Sequence, residues 1–204
     1  MTVGRYLSRL LIAMAGLTAV HADGVSAQGR PWAAGLQAAW NGFSGGATDS
    51  LESRVLPSDR FGFSALGTRE LGEWVLRLEL SVAPGHLAGS DSGSTVELVQ
   101  LKTSMPRYRI EPLVGRKLAN LGEGAVVLYL GPTLDWWRLE GFTRFTIGGE
   151  VRLALQAPLG RLVLENYIGF GLAPQPFPSE ELDPAITTHT LETLALGLSL
   201  RVRL

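Results

Sequence analysis

The sequence predicts an all-β fold, an eight-stranded antiparallel up-and-down transmembrane β-barrel, on three observations. Beyond residue 30, apolar residues recur at every second position over long stretches, and no segment shows a convincing helical period. The links between these stretches are alternately long and short, with one tight exception on the long side, Arg138-Leu139-Glu140-Gly141. Charged residues are 18% of the chain against 46% apolar, below the roughly one quarter charged residues of an ordinary soluble domain, so much of the surface is not built for water.

The N-terminal segment reads separately. Arg5 and Arg9 precede the apolar run Leu10 to Val20, and two small-residue patterns follow, Val20-His21-Ala22 and Val25-Ser26-Ala27. That is the layout of a secretory signal. Residues 1–27 are expected to be a cleaved signal peptide and residues 28–204 one barrel domain, with a cut after Ala22 as the other option. The apolar run is shorter than the roughly 20 residues of a spanning helix, and no later stretch is long enough either. A second encounter with a membrane would have to use strands.

The first strand is expected at 31–43 and the second at 60–69. The third, 73–83, carries Trp74, Leu76, Leu78, Leu80 and Val82 on one parity and Arg77, Glu79 and Ser81 on the other. The fourth lies within 94–118, where the parity of Val96 and Leu98 clashes with that of Val99 and Leu101 and Pro106 interrupts the run. Its first part is therefore expected as an extension or loop hairpin. The strand proper is expected at Arg107 to Leu118, with Pro112 at a bulge or a lipid-side kink. The fifth, 124–137, alternates Val126, Leu128, Leu130, Pro132, Leu134 and Trp136 with Val127, Tyr129, Gly131, Thr133 and Asp135.

The sixth strand, 142–157, sets Phe145, Ile147, Val151, Leu153 and Leu155 against Thr146, Gly148, Glu150, Arg152 and Ala154. The seventh, 161–173, sets Leu162, Leu164, Ile168, Phe170 and Leu172 against Val163, Glu165, Tyr167 and Gly169, with Asn166 a polar exception on the apolar parity. The eighth, 189–204, places Leu194, Leu196, Leu198, Leu200, Val202 and Leu204 opposite Ala195, Gly197, Ser199, Arg201 and Arg203. From Glu192 to its end this strand reaches roughly 43 Å at about 3.3 Å per residue. Even tilted, that crosses an apolar band of about 25 Å.

Eight such strands close in two opposite ways, with the aliphatic face turned in around a ligand or out towards lipid. The second fits better. The other face is largely Gly, Ala, Ser and Thr, with charges of both signs, which suits a crowded narrow lumen and not a solvated surface. The expected lumen network is Arg77, Glu79, Arg109, Glu111, Asp135, Glu150, Arg152, Glu165, Arg201 and Arg203. Aromatic residues gather towards strand ends: Trp32 and Trp74 at the short-turn end, and Trp40, Phe61, Phe63, Trp136, Phe145 and Phe170 towards the long-loop end. Two aromatic girdles are what two lipid interfaces select.

The amphipathic strands, the long acidic loops and the closing segment LALGLSLRVRL, together with YLGPTLDWWRLEG and FTIGGEVRLAL, resemble the small eight-stranded bacterial outer-membrane barrels of the OmpA type over essentially the whole mature chain. The resemblance implies residence in the bacterial outer membrane, contact with its lipid and lipopolysaccharide, and recognition of the last strand by the barrel-assembly machinery. The chain departs from that pattern in ending on Leu204, where an aromatic residue is usual.

Chemistry-bearing motifs are few. A net charge of −1 gives no reason to expect a nucleic-acid partner, and the absence of cysteine removes disulfides and thiolate sites. His86 and His189 fall at the long-loop rim, and Ser90, Asp91, Ser92 and Glu192 are the only partners to offer them in a rim lipid hydrolase; no motif orders these residues. The acidic residues Asp49, Glu52, Asp59, Glu180, Glu181 and Asp183 lack the spacing of a calcium loop. The expectation is no catalytic residue, no metal and no cofactor. It is a monomeric barrel with a structural or surface-interaction role, its lumen filled by Arg/Glu pairs and its loops meeting lipopolysaccharide or ligands. Two alternatives share the pattern: a narrow small-solute or hydrophobic-ligand channel, and a secreted soluble lipocalin-like lipid-binding barrel.

Overall fold

The computed structural model describes residues 32–45, 47–48, 54–90, 98–139, 142–176 and 187–204. The expected signal peptide lies outside these residues, as do Asp49, Glu52, Asp91, Ser92, Glu180, Glu181 and Asp183. The described residues form strands and no helix: β1 (Trp32–Ser44), β2 (Ala47–Thr48), β3 (Arg54–Pro57), β4 (Arg60–Leu71), β5 (Trp74–Ala83), β6 (His86–Ser90), β7 (Leu98–Ser104), β8 (Arg107–Leu121), β9 (Gly124–Leu139), β10 (Phe142–Leu159), β11 (Leu162–Ala173), β12 (Thr187–Thr188) and β13 (Leu191–Arg203).

Eight of them close a barrel in the order β1-β13-β11-β10-β9-β8-β5-β4, and every pair in it is antiparallel. The last strand seals against the first from Ala33↔Arg203 to Ser44↔Glu192. Three hairpins at one end are tight, and each begins its turn on a glycine at positive φ: Gly72 (64°), Gly122 (62°) and Gly160 (65°). A left-handed first turn residue matches the twist of two-residue hairpins, and glycine adopts it without steric cost.

The register sets the tilt. Following outward-facing partners once round, Trp32 leads through Arg69, Leu76, Val114, Leu130, Val151, Phe170 and Leu194 to Gly42, ten residues further along β1. A shear of that size over eight strands, at about 3.3 Å rise and about 4.8 Å spacing, tilts the strands by about 40°.

The two parities part as the alternation requires. Leu78, Leu130, Ile147, Leu153, Ile168 and Leu198 point outward and stand about half exposed, whereas the inward positions include Arg77, Glu111, Asp135, Arg152 and Glu165 at 3% exposure or less. This overturns the lipocalin-like alternative, because the aliphatic face is the outer wall and not a cavity lining. Asn166 faces outward beside Leu155 and Leu198.

Two further differences concern β8 and the loops. Pro112 faces outward, but the register is unchanged from Ile110↔Leu134 to Val114↔Leu130; the bulge lies instead between Lys117 and Ala119. The same register sets Pro112 level with Pro132 of β9, and the ladder pairs no residue between Ile110 and Val114, so the missing N–H breaks no bond there and no extra residue is needed. At the other end, parts of the long links form a second sheet, β12-β2-β3-β6-β7. Within it, β6 and β7 are the hairpin expected ahead of the strand that starts at Arg107.

Candidate functional site in the barrel lumen

Alternation puts residues two apart on one face, so Arg77 with Glu79, Arg109 with Glu111, and Glu150 with Arg152 enter the lumen as ready-made pairs. Closure then brings the pairs from different strands together. Near the short-turn end, Arg201 donates to Glu165 Oε2 at 3.0 Å and to Thr68 Oγ1 at 3.2 Å. Glu165 also takes an ion pair from Arg77 and a hydrogen bond from Gln156 at 2.8 Å. Arg77 reaches Glu79 at 3.0 Å, and Gln37 bridges the two, accepting from Arg77 while donating to Glu79 and to the Tyr167 hydroxyl.

Half-way along, Arg152 donates to Glu79 at 2.9 Å, Glu111 at 3.1 Å and Glu150 at 2.7 Å, with its guanidinium 4.0 Å from the Tyr167 ring centroid. Arg109 continues the column, to Glu111 at 2.9 Å, to Glu150 at 3.0 Å, and through a fork of two bonds to Asp135 at 2.6 and 2.9 Å. A planar guanidinium offers five donors in a fixed fork, so arginine can grip Asp135 with two bonds and still reach further carboxylates.

The long-loop end closes differently. Phe43 and Trp137 meet edge to face at 5.9 Å and pack with Met105 and Leu191. Two guanidinium groups lie against both rings: Arg60 at 5.3 and 5.5 Å, Arg107 at 5.2 and 5.4 Å. Arg60 is tied to the carbonyls of Ser58, Met105 and His86, and the Trp137 indole donates to Thr146 Oγ1 at 3.2 Å. Arg107 donates to Asn41 at 2.9 Å and its Nε stands 3.9 Å from Asp135, but Nε and Nη1 have no hydrogen-bond partner among the described residues. Beside it is a cavity of about 20 Å³, lined in part by Asn41, Arg107, Glu111 and Glu150, room for about one water.

Of the expected network, Arg77, Glu79, Arg109, Glu111, Asp135, Glu150, Arg152, Glu165 and Arg201 join in this column. Arg203 does not. It shares their parity but sits half-buried at the rim, where its backbone N–H bonds Arg161. Tyr129, Gln156 and Tyr167, which stood on the inward parity of their strands, join the network although it was expected to be one of charged residues; Arg60, Arg107 and Gln37 were not singled out, although parity with Thr68, Arg109 and Asn41 marks each.

The expected girdle residues Trp32, Trp40, Phe61, Phe63, Trp74, Trp136, Phe145 and Phe170 all face outward. Trp136 and Phe145 pair across β9 and β10 at 5.1 Å between centroids. Phe63 stands beside Ala38 and Val82, and Phe170 between Val151 and Leu194, within the aliphatic band. At the rim, His86 and His189 are exposed, and neither imidazole bonds a described serine hydroxyl; Glu192 instead accepts from Ser44 at 2.8 Å. Asp59 accepts from the Phe43 N–H.

A polar, filled lumen inside an aliphatic wall, with tight turns at one end and a loop-built sheet at the other, defines a transmembrane barrel of the outer-membrane type. Solved structures agree on the fold. Neisserial surface protein A matches at a TM-score of 0.55 and 13% identity, covering 89% of this chain and 100% of its own. A major outer membrane protein from Thermus thermophilus matches at 0.52 and 14% identity, over 85% of this chain and 99% of its own. Outer membrane protein AlkL, solved in lipid bilayers, matches at 0.51 and 10% identity, over 89% and 93%. No sequence-family model matches the chain, and no similar curated protein was found.

Proposed function

We propose that this chain is a closed, non-enzymatic, monomeric barrel of the bacterial outer membrane that acts through its outer surface. On this reading the N-terminal segment exports it, the barrel-assembly machinery recognises β13, the tight turns face the periplasm, and the β12-β2-β3-β6-β7 sheet meets lipopolysaccharide or ligands outside. The observation that carries it is the lumen: an unbroken column of ion pairs runs from Arg201 to Asp135 and is stoppered by Phe43, Met105, Trp137 and Leu191. An eight-stranded barrel is just wide enough to be filled by side chains, and here the cavity beside Arg107 is about 20 Å³. Nothing of that size passes a solute, which weighs against the channel reading. Arg138, exposed on the outward parity beyond the Trp136–Phe145 pair, suits contact with the phosphates of lipopolysaccharide.

The test combines two measurements on mature protein extracted from outer membranes. A mobility shift on boiling establishes a closed membrane barrel, and planar-bilayer recording then reads conductance. The expected result is a shifted band and no steady single-channel current. Reproducible channels would sink the closed-barrel reading, and recovery as a soluble protein without the shift would sink the membrane assignment.

A further inference from the structure

The outer wall has a recess. On the outward faces of β1 and β4 stand Ala34, Ala38, Ala65 and Gly67, beside neighbouring strands that present Leu76, Leu78 and Leu80 or Leu196, Leu198 and Leu200. By register, Ala38 lies between Phe63 and Leu198, and Leu36 between Ala65 and Leu200. Here the wall forms an apolar groove of about 290 Å³, lined chiefly by Leu36, Ala38, Phe63, Leu164, Leu198 and Leu200.

A cation stands at the foot of the groove. Trp32 and Arg69 are direct cross-strand partners on the same two strands, with the guanidinium 5.2 Å from the indole centroid. Arg69 is exposed and makes no ion pair with a described carboxylate, while nearby Glu70 is engaged by Lys117 at 2.7 Å. Along β1, Leu36 and Ala38 stand roughly 10 to 15 Å above Trp32 once a tilt of about 40° is taken out. One leaflet of an apolar band of about 25 Å has that depth.

We propose that the groove and the Trp32–Arg69 pair form a site for one anionic phospholipid of the leaflet at the tight-turn end, its phosphate on Arg69 and one acyl chain in the groove. The inference rests on the membrane reading above. The barrel carries its own control: Trp74 and Arg116 repeat the pair across β5 and β8, at 5.8 Å, but the wall above them is filled by Leu76, Leu78 and Val114. Bulk attraction between a basic rim and anionic lipid would use both pairs alike. A built site uses only the first.

The experiment is native mass spectrometry of the full-length mature barrel, released from micelles containing equal phosphatidylglycerol and phosphatidylcholine of matched chains. Each variant is first shown to be folded by its mobility shift on boiling, so loss of the shift in the wild type would fall on the membrane reading and not on this site. The wild type is expected to retain one phosphatidylglycerol in preference to phosphatidylcholine. Arg69→Gln should lower that preference about tenfold, the size of a lost charge-assisted contact, while Arg69→Lys keeps most of it and Arg116→Gln leaves it unchanged. Ala38→Leu, which fills the groove, should reduce retention of both lipids. Equal losses from Arg69→Gln and Arg116→Gln, or retention indifferent to Ala38→Leu, would overturn the proposal.

Discussion

Replacing Glu165 by glutamine keeps the shape of the side chain and removes its charge at the most heavily used carboxylate of the lower lumen. Glu165 is fully buried and is the only carboxylate paired with Arg201 among the described residues, at 3.0 Å; Arg77 also pairs with it but keeps Glu79 at 3.0 Å. The variant therefore leaves one guanidinium, Arg201, buried without a counter-charge, held only by Thr68 and the neutral amide oxygen that replaces the carboxylate. Breaking a buried ion pair by removing one partner costs about 3–5 kcal/mol, most of it the burden of the stranded charge. Urea unfolding of the barrel in lipid vesicles reads this directly, and Arg201→Met supplies the second arm of a double-mutant cycle. The expectation is a loss of about 3 kcal/mol or more for Glu165→Gln, largely recovered when Arg201→Met is added, since an apolar replacement of a whole pair is often neutral. As a reference, Glu70→Gln at the partly exposed Lys117 pair should cost under about 1 kcal/mol. A Glu165→Gln loss as small as that of Glu70→Gln, with no recovery in the double variant, would refute the view that the lumen is a dry, mutually dependent column.

Two further outcomes follow from the packing. A Cβ at Gly197 would run into the Tyr167 ring, so Gly197→Val should displace that ring from Arg152 and Gln37 and cost about 1–3 kcal/mol as overpacking; Tyr167→Ala in the same chain should relieve the steric part, and a simple sum of the two losses in unfolding titrations would count against the contact. Leu153, 45% exposed in the middle of the outward face of β10, should tolerate Arg poorly, by about 2–4 kcal/mol for a charge near the bilayer midplane. Refolding yield into vesicles measures it, and an unchanged yield would mean that this face does not meet hydrocarbon.

Which face of each strand turns outward was legible in the sequence because strand alternation is a local property: a period of two assigns Leu198 and Arg201 to opposite sides whatever their neighbours are. The tight turns were legible for the same reason, since Gly72, Gly122 and Gly160 each answer a backbone requirement within two residues. Parity also marked Arg60, Arg107, Gln37 and Tyr167 as inward, but nothing local said that they would meet. Arg152 finds Glu79 and Glu111, and Arg60 and Arg107 find Phe43 and Trp137, only after the ten-residue shear has set the height of every strand against every other. The bulge after Lys117 and the sheet built from the long loops belong to the same class. They depend on pairing between segments far apart in the chain, where the free energy of a contact is shared by two strands and written in neither.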